Sequence, residues 1–130
     1  MISHVYIGVN NFDRAFKFYS SLMDELGMKL KFCDAEKPWA AWHAPDSPRP
    51  LFIIGRPFDD GPALAGNGHM VALSASTSEM VNRSHAKALS AGARCEGAPG
   101  LRPQYHPQFY GAYFRDLDGY KVCVCFHGAQ

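Results

Sequence analysis

Two histidines occupy matching places in what reads as a repeated unit. His4 lies near the start of the apolar stretch Ile2-Ser-His-Val-Tyr-Ile-Gly-Val-Asn10, and His69 near the start of Gly68-His-Met-Val-Ala-Leu-Ser-Ala-Ser76, 65 positions on. The same offset separates Gly27 from Gly92, where each following helix is expected to stop on a left-handed glycine. Imidazole ligates metals and moves protons near neutral pH. A strand histidine is more commonly a polar residue hydrogen-bonded at a cavity wall. A second group, Arg102, Tyr105, His106 and Tyr110, lies in one stretch before the C-terminal hairpin. Its basic and phenolic groups suit an anionic or carbonyl ligand. The competing reading is that the aromatics anchor a long loop while Arg102 caps a carbonyl or is solvated.

Cys33, Cys95, Cys123 and Cys125 lack the C-x-x-C spacing of a zinc ribbon or redox motif. Cys123 and Cys125 alternate on one strand and face the same side, although neighbours two apart seldom form a disulfide. Cys123 reads as a small buried hydrophobe. A nucleophilic role would need a cation beside it, which His4 or His69 supplies only when charged. Trp39, Trp42 and Phe52 are candidates for a cavity wall, against the commoner role of large aromatics as core. His43, His85 and His127 read as surface residues.

These side chains sit in a chain of 130 residues, 47% hydrophobic and 13% aromatic, which is enough for one domain with a substantial interior. The net charge of +1 and the absence of any Lys/Arg run leave no electrostatic footprint for nucleic acid or anionic lipid. No stretch approaches a membrane span and no signal-peptide pattern is readable, so a cytoplasmic protein with thiol cysteines and small-molecule or protein partners is expected.

The elements that must position these residues follow from periodicity. Residues 2–9 read as a strand with Val5, Ile7 and Val9 on one face and His4, Tyr6 and Gly8 on the other. Asn10 or Asn11 caps a helix over 12–26 with the stripe Phe12, Ala15, Phe16, Tyr19, Leu22, Met23 and Leu26. Strands are expected at Met28–Cys33, Pro38–His43 and Leu51–Gly55, then a Gly/Pro-rich linker over 57–67. A strand at Gly68–Ala75 follows, and Ser76-x-x-Glu79 has capping-box spacing for a second helix with a weaker apolar face of Met80, Val81, His85, Ala88 and Leu89. Ala93–Glu96 reads as a short strand, Gly97–Gln108 as an ordered loop or lid. Phe109–Arg115 and Tyr120–Phe126 read as a hairpin around Asp116-Leu-Asp-Gly119. The order is βαβββ–βαβββ in one domain, with module one over about 1–56 and module two over about 68–127.

On Ile2-Ser-His-Val-Tyr-Ile-Gly-Val with Phe12-x-x-Ala-x-x-Phe-Tyr19, on Gly68-His-Met-Val-Ala-Leu, and on Asp116-Leu-Asp-Gly-Tyr-Lys-Val122, the chain resembles the vicinal oxygen chelate superfamily of glyoxalase I, extradiol dioxygenases and bleomycin resistance proteins. Pro99-Gly-Leu-Arg-Pro-Gln-Tyr-His-Pro-Gln-Phe-Tyr-Gly111 also looks like a subgroup of small glyoxalase-like proteins. The resemblance implies an α+β fold of two paired βαβββ modules whose curved sheets surround a cavity, and a homodimer. In metal-dependent members, a histidine on the first strand of each module and a carboxylate on a module's last strand bind a divalent cation that acts as Lewis acid. The histidine positions match His4 and His69. Cys123 stands where the terminal Glu belongs, and Leu51-Phe-Ile-Ile-Gly55 carries no acid. The implied set of His4, His69 and Cys123 suits zinc better than Mg²⁺ or Mn²⁺.

Two functions follow from the resemblance. One is a metal-dependent lyase, isomerase or dioxygenase acting on a small oxygen-rich or carbonyl compound, with Arg102, Tyr105, His106 or Tyr110 orienting substrate. The other is a metal-free binding protein that sequesters an aromatic or cationic compound, as in the drug-resistance branch. No motif for glutathione is readable.

Overall fold

The computed structural model describes residues 1–129, which divide into two compact units at Leu64/Ala65. The first unit runs β1 (His4–Gly8), α1 (Phe12–Glu25), β2 (Lys29–Asp34), β3 (Trp39–His43) and β4 (Leu51–Gly55). Its sheet has the order β1-β4-β3-β2, with β1 and β4 parallel and the other pairs antiparallel. Asn11 caps α1, its side chain accepting from Arg14 N at 3.1 Å, and Gly27 ends the helix turn at φ 72°. Ala15, Tyr19, Leu22, Met23 and Leu26 are buried as the spacing predicts, and Phe18 joins them edge-on to Tyr19 at 5.0 Å.

The helix covers one face of this sheet, where Phe16 stacks on Trp42 at 5.7 Å and Tyr19 meets Phe52 at 5.1 Å. Trp42 and Phe52 are therefore core, as alternation along β3 and β4 requires. Trp39 lies on the other face, tilted against Phe32 at 4.6 Å beside a cluster of Ala41, Leu51 and Ile53. His4 and Tyr6 share that helix-free side, through their register with Leu51 and Ile53.

The second unit repeats the plan: β5 (Met70–Ser74), α2 (Ser78–Ser90), β6 (Arg94–Leu101), β7 (Tyr110–Arg115) and β8 (Lys121–Phe126), with the order β5-β8-β7-β6 and a parallel β5–β8 pair. The N-cap of α2 is Thr77, whose Oγ1 accepts from Met80 N at 3.0 Å, one residue beyond the Ser76 expected from the capping-box spacing. The terminal hairpin forms as expected. Asp116 Oδ1 accepts from both Asp118 N and Tyr120 N at 2.9 Å, and Gly119 takes φ 90°.

The larger departure is β6, which runs on to Leu101 through two register shifts, so the expected long loop shrinks to the residues between Leu101 and Tyr110. Gly97 makes the continuation workable: a Cβ there would come within 3.0 Å of the Tyr113 ring and 3.3 Å of the Arg102 guanidinium. The missing side chain lets a bulged strand pass beneath both groups.

His85 is buried at 6% exposure, although the sequence reads it as a surface residue. It lies on the face of α2 that packs on the sheet with Val81, Ser84 and Ala88, and its ring is hydrogen-bonded to the Tyr113 backbone. Among the described residues, its Nε2 and the Ser84 Oγ have no hydrogen-bond partner. Burial pushes the His85 imidazole below its ordinary range, with the Tyr113 bond opposing weakly. The unfolded chain therefore binds this proton more readily, and the stability present above the ordinary value of about 6.5 is lost as pH falls through the folded value. The urea midpoint should drop between pH 7.5 and 5.5, and a His85→Gln variant should show a flatter dependence over the same window. Phe114 is 0% exposed on the helix side of β7. Phe114→Ala should cost about 3–5 kcal/mol in equilibrium unfolding.

Candidate functional site

By register the first strands of the two units, β1 and β5, correspond at an offset of 66. Val9 N donates to Gly55 O and Ala75 N to Cys125 O, both at 2.8 Å. His4 pairs with Leu51, and Met70 with Lys121. The order exposed, half-buried, exposed, buried is the same along His4-Val-Tyr-Ile7 and Met70-Val-Ala-Leu73. The offset of 65 holds at the helix ends because α1 has 14 residues and α2 has 13. Met70 consequently stands where His4 stands, and His69 falls at the place of Ser3, outside β5. Its N–H donates to Gly66 O at 3.4 Å, and its ring lies on the Gly66 backbone, where a Cβ would approach Nδ1 to 2.4 Å. His4 is exposed, with Nδ1 hydrogen-bonded to Ser3 Oγ at 2.9 Å.

Chemically active side chains gather on the helix-free face of the second sheet. Register aligns Ala72, Cys123, Tyr113 and Gly97 in one row across it, and Ser74, Cys125 and Gly111 in the next. Arg102 reaches over the Tyr113 ring at 5.5 Å while its Nη2 donates to Ala98 O at 2.7 Å, and Lys121 sits over the same ring at 5.4 Å. Burial and the neighbouring Cys123 push the Tyr113 phenol up to about 12. Arg115 is committed elsewhere, its Nε pairing with Glu96 Oε1 at 2.5 Å and holding that carboxyl below its ordinary range.

The two thiols beneath Tyr113 diverge. Cys123, 1% exposed, is pushed above its ordinary range by its neighbour Cys125 and by burial. Cys125, 4% exposed, is drawn below its ordinary range by Cys123 and by the hydrogen bond of His127, against burial. His127 Nε2 lies 3.6 Å from Cys125 Sγ, and its Nδ1 lies 2.9 Å from His106 Nε2. Gln108 N donates to His106 Nδ1 at 3.2 Å.

Of the expected ligand-binding group, the loop brings Tyr105 and His106 together around Phe109, at 5.1 and 5.7 Å, and Arg102 closes it by donating its N–H to Phe109 O at 2.8 Å. Tyr110 separates from them: its hydroxyl donates to Asn82 Oδ1 at 2.7 Å on α2, because residue 110 has the parity of the helix side. Cys125, expected on the same face as Cys123, and His127, exposed as expected, belong to the cluster although the sequence reading gave neither a role in the site. The signal that finds them is alternation, since Cys123, Cys125 and His127 lie two apart.

The resemblance implies His4, His69 and Cys123 as a metal set. Among the described residues no group of three or more His, Cys, Asp or Glu side chains is placed to hold a metal ion. His69 packs on Gly66 and His4 Nδ1 is bonded to Ser3 Oγ, so neither imidazole is presented to a shared centre. His4, His69 and Cys123 are not gathered as a ligand set among the described residues.

Among solved structures, the chain is similar to a glyoxalase/bleomycin resistance protein from Albidiferax ferrireducens T118, at 34% identity over 97% of this chain and 98% of that one, with a TM-score of 0.87. It shares its fold with the hypothetical protein SA1046 from S. aureus (21% identity, 97% and 92% coverage, TM-score 0.70). The same holds for a glyoxalase-related enzyme from Fulvimarina pelagi (16% identity, 97% and 87% coverage, TM-score 0.71). No curated protein matches the sequence. The family model for the Glyoxalase/Bleomycin resistance protein/Dioxygenase superfamily matches residues 1–124. With two βαβββ modules and a match over nearly its whole length, the chain belongs to the glyoxalase/bleomycin resistance protein/dioxygenase superfamily.

Proposed function

We propose that this chain is a small-molecule-binding member of the superfamily that works without a metal, taking an anionic, carbonyl-bearing aromatic compound on the helix-free face of its second sheet. The observation that carries the reading is the pair of cations flanking Tyr113, Arg102 at 5.5 Å and Lys121 at 5.4 Å. Among the described residues neither forms a salt bridge; Glu96 is bonded by Arg115 and feels Lys121 only through its charge. A guanidinium, an ammonium and a phenol around one ring suit a carboxylate or carbonyl oxygen carried on a flat body. Two cations on this face disfavour the cationic compound expected from the drug-resistance branch, so the preference goes to an anion. The mismatch of the metal donors supports binding over the metal-dependent lyase, isomerase or dioxygenase reading.

Protein purified without chelator should contain sub-stoichiometric zinc, nickel and iron by elemental analysis, before and after a His4→Ala, His69→Ala double change. With 4-hydroxybenzoate as probe, calorimetric titration should give saturable binding that Arg102→Ala and Lys121→Ala each weaken by roughly tenfold, in line with about 1.5 kcal/mol for a charge-assisted hydrogen bond. Stoichiometric metal that the double change removes would restore the metalloenzyme reading. Binding unaffected by either cation change would move the ligand to another face.

A further inference from the structure

A directed hydrogen-bond chain ends on Cys125, and its polarity follows from one backbone amide. Gln108 N–H can only donate, so His106 Nδ1, 3.2 Å away, must carry a lone pair. In the neutral ring the proton is then on Nε2, which donates to His127 Nδ1 at 2.9 Å. That fixes the His127 proton on Nε2, directed at Cys125 Sγ at 3.6 Å. Cys125 Sγ thus faces an N–H donor whose direction the chain cannot reverse, an arrangement that favours the thiolate, the nucleophilic form of the sulfur. The residue is 4% exposed, so bulky electrophiles are excluded and a water-sized one is favoured.

We propose that Cys125 is an oxidation site for small hydroperoxides, oriented by His127 and His106. The sulfur electron pair forms the S–O bond, and the O–O bond breaks. The departing hydroxide takes up a proton equivalent to the one the thiol released. The net change is thiol plus hydrogen peroxide to sulfenic acid plus water, with sulfur oxidised by two electrons and the peroxide reduced. This inference uses residues outside the cation pair and holds whether or not an aromatic anion binds there.

Two exposed cysteines supply an internal standard. Cys33 and Cys95 are open to solvent, and the Cys33 thiol is pushed up by burial and by Asp34 and Asp13. Reduced native protein would be treated with sub-stoichiometric hydrogen peroxide in the presence of dimedone, and the four cysteines followed by peptide mass spectrometry. Cys125 should be modified first, as the dimedone adduct, despite being less accessible than Cys33 and Cys95. His127→Ala and His106→Ala alter residues outside the strands. They should slow Cys125 by about tenfold, the loss of roughly 1.4 kcal/mol, and leave Cys33 and Cys95 unchanged. Modification of Cys33 or Cys95 ahead of Cys125 in the unaltered protein overturns the proposal without recourse to any variant. So does an unchanged Cys125 rate in a His127→Ala protein of native circular dichroism.

Discussion

Each four-stranded sheet rests on a parallel pair between the first and last strands of its unit, β1 with β4 and β5 with β8. A parallel pair needs a crossover, and α1 or α2 supplies it while covering one face. Every other assignment follows from that cover. Side chains of one parity, such as Ile7, Ile54, Leu73, Val122 and Val124, become core. Those of the other parity, His4, Tyr6, Tyr113, Cys123 and Cys125, are left on the helix-free side. A single step of register moves a residue from one role to the other, which is why His69, one position before β5, does not stand where His4 does.

The electrostatics of the second unit follow from what crowds onto one face. Tyr113, Cys123 and Cys125 have little access to water, so each proton is placed by its neighbours more than by solvent. Burial and the neighbouring thiol push Cys123 up, while Cys125 is drawn down by Cys123 and by the His127 hydrogen bond. Arg102 from the β6–β7 loop and Lys121 from the start of β8 sit over Tyr113, while His106 from that same loop and His127 just after β8 meet beside Cys125.

Element order, both helices, the hairpin at Asp116–Gly119 and the left-handed Gly27 and Gly92 were readable in the sequence, since each rests on local chemistry: a cap, a period or a glycine at positive φ. The continuation of β6 was not, because Pro99, Gly97 and Gly100 are loop residues by propensity and only the Tyr113 and Arg102 side chains above them make a bulged strand preferable. His85 was misread for a similar reason: an imidazole looks polar until its place in the α2 stripe is weighed against Val81 and Ala88. The candidate site was half visible. Arg102, Tyr105 and His106 were singled out by type, while Tyr110 was assigned without regard to parity. His127 was set aside because its partner His106 is 21 positions away.

The one-residue difference between α1 and α2 shows where this architecture absorbs a change of length. A residue added to a strand would turn its outward-facing side chains inward. Added at a helix end that closes on a left-handed glycine, it only lengthens the last turn before the chain is handed to the next strand. The αβ corners at Gly27 and Gly92 are therefore the joints through which duplicated halves can drift apart in sequence numbering while their sheets stay in phase. An alignment of the halves anchored on those glycines stays in step at β2 and β6 and is out of step by that one residue at β1 and β5.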